Sequence, residues 1–209
     1  MRTLPLTLLA AALVACATGP DLVALDRMTQ ETMRASFRDQ GIAKVDRLQQ
    51  DTLQQACSAP VPPSPETARR LEAEAQATIR WPDDGRFLGD WREGEKLAQN
   101  GRGMTWTDPA GAPNGGSCYN CHQLAKAEIS YGTIGPSLWH YARARGVVDP
   151  KSPAAADVVK YTWAKLWNSK ATNACSAMPR FGHSGVLTQA QLRDLMALLL
   201  DPKSPVNAD

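Results

Sequence analysis

The chain has 209 residues, a formal net charge of +2, and 43% apolar against 21% charged residues. This is ordinary globular usage, which excludes wholesale disorder and a coiled coil. It also lacks the charge excess of a nucleic-acid binder, and no apolar run reaches the roughly 18 residues of a membrane span.

Residues 1–15 read as a secretory signal. Arg2 supplies a charged start, and Leu4 to Val14 a short apolar stretch. Leu13-Val14-Ala15-Cys16 resembles a bacterial lipobox, which makes Cys16 the lipid-bearing first residue of the mature chain. Cleavage after Ala17 is the alternative, since Ala15-Cys16-Ala17 also fits A-x-A. Both readings export the protein, and the first anchors it to a membrane without a span.

Residues 16–84 are expected to form an N-terminal helical extension, and residues 85–209 the main domain. Loose apolar spacing through Met33, Phe37, Ile42, Val45 and Leu48 predicts one or two modest amphipathic helices. Four prolines between Pro60 and Pro65 end that region. Ser64 and Pro65 then open a helix that runs to about Arg80. Phe87, Trp91 and Gly94 predict a short helix with a slim point at the glycine, followed by a Gly-rich loop over 100–117. Ser152-Pro153 starts a helix whose apolar face is Val159, Trp163, Leu166 and Trp167, the two tryptophans serving as core or pocket wall. Thr188 and Gln191 form a capping box before a stripe of Leu192, Leu195, Met196 and Leu199, and Asp201-Pro202 ends that helix. No strand-like alternation stands out, so the expected class is all-α.

One motif carries chemistry. Cys118-Tyr119-Asn120-Cys121-His122 is C-x-x-C-H, the attachment signature of a c-type haem. Two thiols three positions apart add to the two vinyl groups on one haem edge, and the next histidine binds iron through Nε2. A thioredoxin-like redox pair expects a βαβ context, and a zinc site expects two further ligands at similar spacing; neither is present. Met178 is the candidate sixth ligand, in a loop between the Trp-rich helix and the last helix. His/Met ligation raises the potential for electron transfer. Met104, Met196, His140 and His183 are weaker candidates. Pro136 is a candidate acceptor for the second His122 N–H, with a simple turn as the alternative. Cys57 and Cys175 remain, and in an oxidising compartment they are expected to pair. The alternative is that Cys175 is a reactive thiol or an iron ligand.

Taken together, Gly89-Asp90-Trp91-Arg92-Glu93-Gly94-Glu95, the C-x-x-C-H run, Gly132-Thr133-Ile134-Gly135-Pro136-Ser137-Leu138 and Met178-Pro179-Arg180-Phe181-Gly182-His183 occur in the order found in the SoxX family. Leu198 to Asn207 also resembles that family, and the likeness covers about residues 85–207. SoxX proteins are monohaem cytochrome c subunits of the SoxAX complex of bacterial thiosulfate oxidation. The resemblance implies a class I cytochrome c fold, one covalent haem on Cys118 and Cys121, and axial ligands His122 and Met178. It implies a heterodimer with a SoxA-like cytochrome that carries the catalytic cysteine, so no catalytic residue is expected here. It also implies a SoxYZ-like carrier whose cysteine receives thiosulfate, and a soluble cytochrome c that accepts the electrons. The alternatives are a stand-alone electron carrier and a haem-based ligand sensor.

Overall fold

The computed structural model describes residue 19 and residues 21–209. The signal segment and Cys16 lie outside the described residues. The chain divides into two compact units, Met1–Gln40 and Gly41–Asp209.

In the first unit, α1 spans Leu22–Ser36, with the Asp21 side chain accepting from the N–H groups of Val23 and Ala24. None of its residues is buried. Among the described residues, the one or two modest helices expected over this region are two, this one and the short Thr52–Ser58 helix of the second unit, and the Ile42–Leu48 part of the spacing forms only a 3₁₀ turn at Val45–Leu48.

The second unit holds α2 (Thr52–Ser58), α3 (Pro65–Gln76), α4 (Trp91–Gln99), α5 (Tyr141–Ala144), α6 (Ala156–Trp167) and α7 (Gln189–Leu200), with short 3₁₀ turns between them. Among the described residues there is no strand, so the all-α class holds. α4 and α7 cross closely. Gly94 makes this possible, because a β-carbon there would strike the Asp194 carbonyl and Leu198. The Gly89 N–H donates to the Arg193 carbonyl at 2.8 Å and the Asp90 N–H to Asp194 Oδ1 at 2.8 Å, which fixes the crossing. The expected stripe on α7 is buried, and Ala197, Leu198 and Leu200 are buried as well. A helix apolar on nearly every side in its last two turns is enclosed by the core. Each fully buried leucine contributes about 1.5–3 kcal/mol.

The seam expected at residue 84 is not where the structure divides. Residues 41–84 belong to the same unit as 85–209. α3 packs on the turn Ser169–Ala171 and buries Leu71 and Ala75. The indole N–H of Trp163 donates to the Arg80 carbonyl at 3.0 Å, and that of Trp167 to the Thr78 carbonyl at 3.1 Å. Both rings are buried and stack at 6.1 Å between centroids. The end of the 65–80 segment is therefore tied to the core through α6. The helix expected to reach Arg80 stops at Gln76, where the N–H groups of Thr78 and Ile79 turn to the carbonyls three residues back, Ala75 and Gln76, and the i−4 ladder ends.

Candidate functional site

A cavity of about 570 Å³ opens in the second unit, in the size range of small-molecule and cofactor pockets. Cys118, Cys121 and His122 line it, as do Met178, Leu195 and Leu199. The C-x-x-C-H run folds as a tight 3₁₀ turn, Cys118–Asn120, entered through Ser117 at φ 50°. The N–H groups of Cys121 and His122 both donate to the Cys118 carbonyl, at 3.1 and 2.9 Å. One turn therefore brings both thiols and the imidazole to the cavity.

The segment 132–138 closes beneath this turn. Gly132 N–H donates to Tyr119 O, Gly135 N–H to Cys121 O, and Leu138 N–H to Gln123 O, at 2.9, 2.8 and 2.8 Å. His122 Nδ1 lies 2.6 Å from the Pro136 carbonyl. As only a protonated Nδ1 can donate there, Nε2 keeps its lone pair for a metal. Gly135 lies flat against the imidazole, and a β-carbon at that position would collide with the ring. Gly135→Ala should therefore displace the His122 imidazole, which the NMR spectrum of its ring protons would report. An unaltered spectrum would contradict this packing.

Met178 is half-buried on the cavity wall, in the loop after α6. The Ser169 hydroxyl donates to its carbonyl at 2.5 Å. Cys175 also lines the cavity, but it is joined to Cys57 by a disulfide. Beside them Arg180 pairs with Asp51 at 2.6 Å. Burial disfavours the Asp51 carboxylate, but the Gln54 N–H and the Arg180 guanidinium outweigh it and hold the group below the usual 3.8. A carboxyl lowered by folding adds stability above its unfolded pKa and loses it as pH falls through the lowered folded value. The stability gap between the chain and an Asp51→Asn variant should thus shrink on acidification from about pH 5. A constant gap in acid denaturation curves would contradict the pairing.

The weaker ligand candidates sit elsewhere. Met196 is fully buried on α7. Met104 offers its carbonyl to Arg47. His140 turns its Nε2 to the Ala208 carbonyl at 3.2 Å. The His183 N–H donates to the Trp167 carbonyl, and its ring does not line the cavity. Arg145 and Lys165, which the sequence reading passed over, do line it. Burial pushes the Lys165 ammonium below its ordinary pKa. Nothing local to these two cations marks them, because they reach the cavity from α6 and the end of α5.

The chemistry of the donor set fits a c-type haem. Two thiols lie at i and i+3, an imidazole follows with Nε2 available, a thioether lies on the same cavity, and the walls are largely apolar. Burial pushes the Cys118 thiol up to about 12. Among the described residues, no group of three or more His, Cys, Asp or Glu could hold a metal ion, so a zinc site lacks its ligands.

No protein-family model matches the chain. An uncharacterized lipoprotein of Aquifex aeolicus (strain VF5) is 38% identical over 161 residues, covering 76% of this chain and 73% of that protein.

Proposed function

We propose that this chain, which belongs to the family of the Aquifex aeolicus lipoprotein, is an exported monohaem cytochrome c with a class I arrangement. The observation that carries the reading is one cavity lined by Cys118, Cys121, His122 and Met178. A c-type haem supplies one-electron chemistry at such a site. The chain's own residues do the rest. Cys118 and Cys121 would hold the group covalently, and His122, its ring fixed by the Pro136 carbonyl, would offer Nε2 to the iron. Met178 would offer its thioether, which favours the reduced iron. Leu195 and Leu199 give the cavity apolar wall, and Arg145 and Lys165 are cations that also line it.

On the motif resemblance, we assign it the role of electron-transfer subunit in a SoxAX-type L-cysteine S-thiosulfotransferase. In that role it relays electrons released when thiosulfate joins a SoxYZ-like carrier cysteine, and passes them to a soluble cytochrome c. The Met178–His183 run is the most specific part of that resemblance. The relative's lipoprotein character supports lipidation at Cys16 and a periplasmic, membrane-anchored location.

The test is a gentle pull-down of the haem protein from host cells grown on thiosulfate, read by mass spectrometry. Recovery of a SoxA-like cytochrome in stoichiometric yield is expected. Recovery of the haem protein alone would leave a stand-alone carrier.

A further inference from the structure

We propose that the segment 51–72 is a strap that positions Met178, so that retention of the sixth ligand is controlled from outside the haem-binding residues. The inference rests on the haem reading above and deepens it.

The loop from Asn173 to Arg180 contains no helix or strand. Such a stretch has no internal ladder of hydrogen bonds and opens locally at little cost unless something else holds it. Nearby, the Ser169 hydroxyl holds the Met178 carbonyl; the other restraints come largely from distant residues. Asp51 pairs with Arg180 at 2.6 Å. Cys57 is disulfide-bonded to Cys175, 118 positions away. Glu72 Oε1 accepts from the Ala174 N–H at 3.0 Å. On the other side, Lys170 is buried and its ammonium donates to the carbonyls of Ala174 and Ser176, at 3.4 and 3.1 Å.

The arrangement of these bonds matters more than their number. Asp51 caps the N-terminus of α2, and Cys57 lies near the other end of the same helix. One short helix is thus clipped to the loop at Cys175 and at Arg180, three residues before Met178 and two after it. Two attachments bracketing one side chain fix its direction as well as its distance. A disulfide alone would leave the loop free to swing about Cys175. Asp51 and Arg180 are positioning residues in this sense, since both act through the loop rather than on the iron.

Carbon monoxide reaches ferrous iron only when Met178 has left, so its association rate reads the open fraction of the loop. Three samples of holoprotein decide the question: the parent, the parent treated with dithiothreitol, and Asp51→Asn. Opening the disulfide is expected to raise the rate about tenfold or more, and Asp51→Asn, a partly exposed pair, about threefold. Asp51→Glu should restore the parent rate. Val206→Ala, a core change far in sequence from the loop, should lower the melting temperature without changing the rate. If dithiothreitol unfolds the protein, the Asp51 variants decide alone. Parent-like rates in folded Asp51→Asn would overturn the strap. An Asp51→Asn increase matched by Val206→Ala would overturn it too, as that is general loosening. If Met178→Ala itself leaves spectrum and rate unchanged, the ligand reading fails instead of the strap.

Discussion

Met178→Ala is expected to open the sixth coordination position and lower the reduction potential. Thioether sulfur is a soft ligand that favours the reduced iron, so losing it stabilises the oxidised form. The fall should be a substantial part of the roughly 0.8 V that axial ligands span across haem proteins. Carbon monoxide should bind the reduced variant at once. Neither His140, committed to the Ala208 carbonyl, nor Met196, buried in α7, is placed to take over. The checks are a spectroelectrochemical titration and a carbon monoxide difference spectrum. A variant with the parent's spectrum and potential would mean that another residue binds the iron.

The second large effect concerns stability. Replacing Cys57 and Cys175 together by serine removes a cross-link that spans 118 positions. In the chain-entropy account, a loop of that length is worth about 4–5 kcal/mol, because the bridge restricts the unfolded chain more than the folded one. For a domain of this size, each kcal/mol shifts the melting temperature by about 2–4 °C. The double variant should therefore melt roughly 10–20 °C lower in the absence of reductant. A melting temperature within about 2 °C of the parent would show that the unfolded chain gains almost nothing from the bridge.

Much of the architecture is legible where its cause is local. The C-x-x-C-H run and the tight turn it folds into lie within five consecutive residues. The helix ending at Leu200 is announced by its capping box and apolar stripe, and Trp163 and Trp167 fall on the buried face that their spacing gives. What the sequence hides is set by distant partners. Residues 65–80 look like part of an appendage, but two indole N–H groups more than 80 positions away take up their carbonyls. Asp51 caps α2, and nothing beside it in the chain names Arg180 as its second partner. For Pro136, spacing alone leaves an acceptor and a plain turn equally open. The 2.6 Å approach of His122 depends on how the 132–138 segment hydrogen-bonds under the attachment turn.

That same long-range packing bears on function. A small domain with one covalent group needs only the attachment turn, a ligand loop and two crossing helices. This chain adds residues 41–84 to the unit and joins them to the loop that carries Met178. On the haem reading proposed above, the added segment acts on the ligand loop of the site.

The most direct test of the central claim is peptide mass mapping of the exported protein, made in a host able to mature c-type cytochromes. The account predicts a single haem-bearing peptide containing Cys118 and Cys121, with both sulfurs in thioether linkage and neither open to alkylation. Mature protein in which both cysteines take up the alkylating reagent and no peptide carries haem would contradict it.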